Sequence, residues 1–223
     1  MWDGEWNAGG GKHEDNPDEW IDIVGGEKAS KAGSGHSFDA DSFVGNGSCG
    51  WVFTPPDVIF DAIYDASVPI TLEVCVEYDD TIQTELTPYR HNFVVIGRYS
   101  GNNLLWSPSF LWSYKRFCGL KICTPAYETS NGGNTFFHGT LTSTRSEVYK
   151  NAISISANSS TVFTSAYKEG CFAMGYGFGG GLGWHTFYVV CRLHSIRFYS
   201  RTLTADEIAA NYAVDKLRFN LLD

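Results

Sequence analysis

The sequence predicts an all-β protein of antiparallel sheets with one short C-terminal helix, and three observations carry that prediction. The 223 residues include 24 glycines and 15% aromatics against 18% charged residues, a turn-rich composition that fits neither a disordered tail nor a coiled coil. Residues 70–78, ITLEVCVEY, alternate with period two: Ile70, Leu72, Val74, Val76 and Tyr78 fall on one face, and Thr71, Glu73, Cys75 and Glu77 on the other. A sheet with one wet side is antiparallel, since parallel sheets are sealed by helices on both faces. Only Thr204 to Ala213 carries a strong helix signature.

In chain order, residues 1–50 hold 11 glycines and no apolar run long enough for a separate core. They read as loops and short strands wrapped on a larger body, anchored by Trp2, Trp6 and Trp20. GNGSCG at 45–50 leads into Trp51, Val52 and Phe53, and Pro55 with Pro56 then stops regular pairing. After 70–78, strands are expected at 92–98, 104–112, 116–124, 135–142, 147–156 and 161–165, divided by the turn signatures SGNN at 100–103, NGGN at 131–134 and ANSS at 157–160. GYGFGGGLG at 175–183 is followed by neither a helix nor a lysine, so it is no phosphate loop; it reads as a wide loop or a place of close backbone approach. In the strand at 187–199 the inward set begins Phe187, Val189, Cys191 and continues His194, Ile196, Phe198, so parity slips near Leu193 and predicts a bulge. In the helix, predicted over 205–214, Thr204 and Glu207 form a capping box, Leu203 staples onto Ile208, and Ala209, Ala210 and Ala213 permit close docking at a sheet edge or across one end.

Charge and cysteine content narrow the function. Residues 1–89 hold 18 acidic and 3 basic side chains, and residues 90–223 hold 7 and 13. An acidic chain without a basic cluster is a poor ligand for phosphate backbones, so no nucleic-acid partner is expected. The acidic half suits a hard cation, which makes calcium a candidate ion with no ligand set assigned. No apolar stretch of about 20 residues predicts membrane insertion. The start lacks a secretory signal, pointing to a trimmed chain or to release by another route, such as lysis of a virus-infected host. Cys75, Cys118, Cys171 and Cys191 are expected as free thiols in strand surroundings, because a core this size needs no staple.

The string HSIRFYSRTLTADEIAANYAVDKLRF resembles the closing strand and helix of concanavalin A-like, LamG-type jelly-roll domains of gut bacterial and phage proteins. WDGEWNAGGGKHEDNPDEWIDIVGG resembles their N-terminal segment, and SEVYKNAISI sits where members carry a Tyr-x-Asn-Gly hairpin, with Ala152 replacing the glycine. The resemblance implies a sandwich of two antiparallel sheets, one domain over 1–223, and sugar-binding, adhesion or virion structural roles. Phage membership would place the chain at a virion or extracellular surface.

Catalysis is not expected. Glucanase relatives of such domains share a Glu-x-Asp-x-x-Glu strand motif that is missing, and Glu73 and Glu77, read as solvent-face residues, would stand about 13 Å apart, too far for a retaining carboxyl pair. His185, Cys191 and His194 match no zinc-ligand spacing. Sugar binding needs an exposed flat ring with a few converging polar groups. Trp184 after the polyglycine loop is the predicted stacking platform, with His185, Asn102 and Asn103 as polar partners; Trp106 and Trp112 read as core aromatics. The expected function is therefore a non-enzymatic carbohydrate-binding or adhesion domain with a glycan or a cell-surface or virion protein as partner, and a homo-oligomer is compatible with it. The alternatives are a structural protein making protein contacts without glycan, and a glycoside hydrolase.

Overall fold

The computed structural model describes residues 1–9, 11–53, 71–79, 91–96, 109–113, 116–118, 127–128, 134–142, 146–158, 172–174, 176–179, 185–188 and 190–221. Two large sheets dominate. In the eight-stranded sheet the order runs Ile153–Asn158, Ser146–Lys150, Asn134–Thr142, Thr71–Asp79, Val190–Tyr199, Phe43–Asn46, Ser37–Phe38, with Trp2–Asp3 also paired to Val190–Tyr199. In the seven-stranded sheet it runs Tyr127–Glu128, Arg116–Cys118, Ser109–Ser113, His91–Ile96, Phe172–Met174, Cys49–Phe53, Ser30–Gly33. The described pairings are antiparallel, as the alternation at 70–78 predicts. The expected strand at 161–165 lies outside the described residues.

The N-terminal segment wraps the sheets as expected. Trp2 pairs with Ile196 and Asp3 with Ser195, while Ser30–Gly33 pairs with Cys49–Phe53. Trp2 and Trp20 are buried anchors, but Trp6 is exposed. Trp20 stands edge-on to Trp51 at 5.9 Å and to Phe38 at 5.2 Å, so one aromatic cluster joins side chains of both large sheets. Gly4 allows this seating: a Cβ there would lie 2.6 Å from the Asp41 carbonyl and 2.9 Å from that of His194.

Two local expectations sharpen. The bulge falls between Leu193 and Ser195 of the Val190–Tyr199 strand, leaving His194 as the extra residue. The single strand expected at 147–156 is instead a hairpin, with Lys150 paired to Ile153 across Asn151 and Ala152. Both turn residues have positive φ, 51° and 62°, the backbone of a two-residue hairpin turn, so Ala152 adopts the left-handed conformation usually given to glycine.

The one-wet-face reading of residues 70–78 is corrected. Thr71, Glu73 and Cys75 are as buried as Leu72, Val74 and Val76, because the terminal helix lies across the face that carries them. Phe219, Leu221 and Tyr212 pack on Cys75, and Ile208 packs with Leu203 and Tyr149. The helix runs Ala205–Arg218, one turn beyond 205–214, and the reading of its alanines is reversed: Ala209, Ala210 and Ala213 face solvent. Its start follows the expected box, with the Glu207 amide donating to Thr204 Oγ1 at 3.3 Å and the Thr204 amide donating to Glu207 Oε2 at 2.8 Å. Arg201 adds a two-pronged pair at 2.9 and 2.8 Å.

The hydrogen bonds from Arg201 and from the Thr204 backbone hold the Glu207 carboxyl down to about 2, against an ordinary 4.5. A depressed carboxyl stabilises the folded state above its unfolded value, so this contribution is present above about pH 4.5 and fades as pH falls toward 2. Side-chain NMR titration of Glu207 should show a midpoint near 2 that rises in Arg201→Ala. A midpoint near 4.5 in the unaltered protein would remove the cap's electrostatic part.

Cys49, Cys75 and Cys191 are buried free thiols. Burial pushes the Cys75 thiol well up and the Cys191 thiol up to about 12. Such thiols behave as small apolar groups. Cys123 and Cys171 lie outside the described residues.

Candidate functional site around Trp6

The Trp2-Asp3-Gly4-Glu5-Trp6 run builds a surface in which each residue has a separate task. Trp2 seals against the sheet, and the Asp3 carboxylate folds the chain back by accepting from the amides of Glu5 at 3.0 Å and Trp6 at 3.1 Å. Arg218, from the last helical turn, grips both oxygens of Asp3 and reaches Glu5 Oε2 at 3.1 Å. Glu5 in turn accepts from Lys12 at 3.0 Å, and Lys12 Nζ stands 5.1 Å from the centre of the Trp6 ring. The bond to Glu5 holds the Lys12 ammonium above its usual range. Despite burial, the bonds from Lys12 and Arg218 hold the Glu5 carboxyl below its own.

Trp6 itself is 42% exposed, whereas Trp2, Trp20 and Trp51 are buried. It lies in a hairpin, Trp6–Asn7 against Gly11–Lys12. A Cβ on Gly9 or Gly11 would meet nothing within 4 Å, so space beside the hairpin is open.

Beneath the hairpin the floor is held by hydrogen bonds and a ring stack. The Asp3 carbonyl accepts from His13 Nε2 at 3.0 Å and from Trp20 Nε1 at 2.9 Å. Asn7 accepts from the Ile21 amide at 2.7 Å, which orients its Nδ2 to donate to the Glu19 carbonyl at 2.9 Å and to His13 Nδ1 at 3.2 Å. His13 Nδ1 is then an acceptor and Nε2 carries the proton, the neutral form that burial of the ring also favours. The ring stacks on Phe38 at 3.9 Å.

Two further polar clusters are closed. Under the helix, Glu73 accepts from Tyr199 at 3.0 Å and from Asn211 at 3.1 and 3.0 Å, and Arg197 lies 3.6 Å from it. Arg197 also donates to Asp215 at 2.7 Å. Although burial works against its charge, the Asp215 and Glu73 carboxylates hold the Arg197 guanidinium up. Burial and the Glu73 charge push the Tyr199 phenol up as well, away from a nucleophilic phenolate. Glu73 is thus no solvent-face residue, and with Asp215 fully buried the cluster offers a substrate no approach. At the bulge, His194 Nδ1 lies 3.3 Å from Asp41 Oδ1, and His194 Nε2 has no hydrogen-bond partner among the described residues. The hydrogen bond from His194 holds the Asp41 carboxyl low. Among the described residues no three of His, Cys, Asp and Glu converge as metal ligands do.

Of the residues predicted to bind sugar, Trp184, Asn102 and Asn103 lie outside the described residues, as does Trp106. His185 opens the His185–Tyr188 strand, with its backbone opposite Gly179. Trp6, which the sequence groups with Trp2 and Trp20 as an anchor, is instead turned to the surface. The sequence signal for this is its place beside Ala-Gly-Gly-Gly at 8–11, a stretch that offers a large ring no side chain beyond a methyl to pack against.

These features define an all-β chain of antiparallel sheets with a C-terminal helix. No family model and no curated protein sequence matches it. Solved structures do. A mutant Trypanosoma rangeli sialidase displaying trans-sialidase activity matches with a TM-score of 0.65 at 16% identity, over 100% of this chain and 34% of that one. The receptor-binding domain of the botulinum neurotoxin C/D mosaic serotype matches with a TM-score of 0.63 at 10% identity, over 89% of this chain and 49% of that one. T. rangeli sialidase itself matches with a TM-score of 0.60 at 19% identity, over 91% and 32%. The chain therefore spans about a third of the sialidases' length and about half of the toxin domain's. At these identities the likeness is one of fold. It nevertheless corrects the expectation of a non-enzyme, because sialidases are enzymes and a fold shared with them gives no ground for excluding catalysis.

Proposed function

We propose that this chain is a carbohydrate-binding domain on a concanavalin A-like jelly-roll sandwich, with Trp6 as a stacking platform for a neutral sugar. The observation that carries the reading is the exposed Trp6 ring on a hydrogen-bonded floor beside open space, with the exposed carboxylates Glu14 and Asp15 near Lys12. Aromatic faces suit the apolar face of a pyranose, and carboxylates accept from its hydroxyls. For glycan binding in general, though not for a neutral sugar, the neighbours add support: T. rangeli sialidase is known in complex with sialic acid, and botulinum neurotoxin type C depends on two ganglioside molecules to enter cells. Local charge argues for a neutral sugar here. Lys12 and Arg218 are already paired with Glu5 and Asp3, and Glu14 and Asp15 stand exposed near Lys12. The carboxylate of an acidic sugar would meet like charge.

Trp184, His185, Asn102 and Asn103 form a second proposed contact set in the same reading, and an extracellular or virion surface is the setting in which a glycan partner is met. A glycan array with and without calcium tests the function. Trp6→Ala should lower affinity about tenfold, the equivalent of about 1.4 kcal/mol of lost ring contact. Its melting temperature should stay within about 2 °C, since the ring is a surface one. Array silence withdraws the reading. Unchanged affinity in folded Trp6→Ala moves the platform to Trp184.

A further inference from the structure

His13 sits where the Trp6 hairpin joins the body, fully buried, its ring stacked on Phe38 at 3.9 Å and edge-on to Trp20 at 5.9 Å. Both of its nitrogens are committed. Nε2 donates to the Asp3 carbonyl at 3.0 Å, and Nδ1 accepts from Asn7 Nδ2 at 3.2 Å. Asn7 is committed as well, because the Ile21 amide fixes where its oxygen lies and the Glu19 carbonyl fixes where its nitrogen lies. Through Asn7 the strand Trp6–Asn7 is tied both to residues 19–21 and to His13.

A proton added to Nδ1 finds no acceptor. It turns that nitrogen into a second donor, aimed at an Asn7 nitrogen that is also a donor. Turning the Asn7 amide over sets its NH2 group against the Ile21 amide and its oxygen against the Glu19 carbonyl, so one repair makes two breaks. Turning the ring takes Nε2 off the Asp3 carbonyl, and a fully buried ring has no water to serve the new N–H. The surrounding charges are already engaged: Asp3 with Arg218, Glu5 with Lys12, Glu19 with Lys28. Glu14 and Asp15, next in the chain, stand exposed, and Phe38 and Trp20 present uncharged rings. Burial accordingly holds the His13 imidazole below its ordinary value, although the backbone and charge of Asp3 pull the other way.

We propose that His13 and Asn7 form an acid-released latch on the Trp6 hairpin, closed while His13 is neutral and opened when it takes a proton. As regulation of glycan binding this rests on the Trp6 platform proposed above; the latch itself does not. In the open form Asn7 lets go of His13, the ring reaches water, and the hairpin that carries Trp6 loses its tie to the body. By linkage, the open form titrates near the ordinary 6.5 and takes up protons first, so closure has its full strength above about pH 6.5 and weakens as pH falls below it. With the closed form still neutral, the open-to-closed ratio rises about thirtyfold by pH 5. Despite its burial Glu5 is held below 4.5 by Lys12 and Arg218, and Glu19 is held there by Lys28, so both keep their charge across this window.

Amide hydrogen exchange of the ligand-free 223-residue chain at about pH 7 and about pH 5, corrected for the intrinsic effect of pH, tests this. The Ile21 and His13 amides, which donate to Asn7 and to the Glu5 carbonyl, should exchange more than about tenfold faster at the lower pH, while those of Thr71–Asp79 hold their rates. His13→Gln has no ring to protonate, so its exchange at Ile21 should be level between the two pH values. Asn7→Asp sets a carboxylate opposite Nδ1, which accepts from a protonated His13, and should likewise abolish the acid loosening. His36→Gln should leave the loosening intact, although His36 meets the same aromatic cluster through Phe43 and Trp51. Level exchange at Ile21 in the unaltered protein overturns the proposal, as does acid loosening that survives His13→Gln or is lost in His36→Gln. No glycan is needed, so a silent glycan array and a latch that stays shut are separate failures.

Discussion

Arg197→Met is expected to cost about 3–5 kcal/mol of folding stability in urea denaturation, because it removes the guanidinium that donates to both oxygens of the buried Asp215 carboxylate. Asp215 is fully buried, and Arg197 supplies its two-pronged pair across the helix–sheet contact. The side chain lost is not the main term; the carboxylate left behind is. Arg197→Met combined with Asp215→Leu should therefore recover more than half of the loss, since replacing both partners of a buried pair with apolar groups is often neutral. Glu73 keeps its donors from Tyr199 and Asn211 in that double variant. A single-variant loss below about 1 kcal/mol would show that water reaches Asp215 and that the helix sits more loosely than described.

Trp20→Ala should cost about 3–5 kcal/mol as well, by a different route. Its ring is fully buried among Phe38, Phe43 and Trp51, so truncation opens a cavity at the point where the two large sheets share side chains. Trp20→Phe keeps a ring but loses the indole bond to the Asp3 carbonyl, and should cost about 1–2 kcal/mol. Thermal unfolding of both, beside Trp6→Ala, orders three tryptophan-related effects. Equal losses at Trp6 and Trp20 would contradict the assignment of one ring to the surface and the other to the core.

What the sequence made legible was local. The alternation at 70–78, the capping box at Thr204 and the parity slip near Leu193 each depend on a few neighbouring residues, and each reappears as the Thr71–Asp79 strand, the start of the helix and the bulge at His194. What the sequence left hidden was set by partners distant in the chain. Glu73 reads as a solvent residue until a helix more than a hundred residues later covers it with Asn211. The helix reads four residues short because its last turn looks charged and solvated. Asp215 there is buried by Arg197, and Arg218 is claimed by Asp3. Trp2, Trp6 and Trp20 look alike in sequence, and only the backbone path separates two core rings from a surface one. The fold class followed from composition and periodicity, while the candidate site depended on which of three similar residues the chain turns outward.

Asp3 is gripped by Arg218, 215 residues further along. A ribosome adds about 5–20 residues per second, so roughly 10–40 s separate the synthesis of these two partners. For most of that interval Trp2 has no Ile196 to pair with, and the Cys75 face of the central strand has no complete helix over it. Apolar surface and an unpaired strand edge stay open throughout, the condition under which nascent chains associate with one another or engage chaperones. Contacts of such long sequence separation also make for slow folding. Completion of this fold is therefore timed by the emergence of its last helix, and the early-made tryptophan layer has to wait for it.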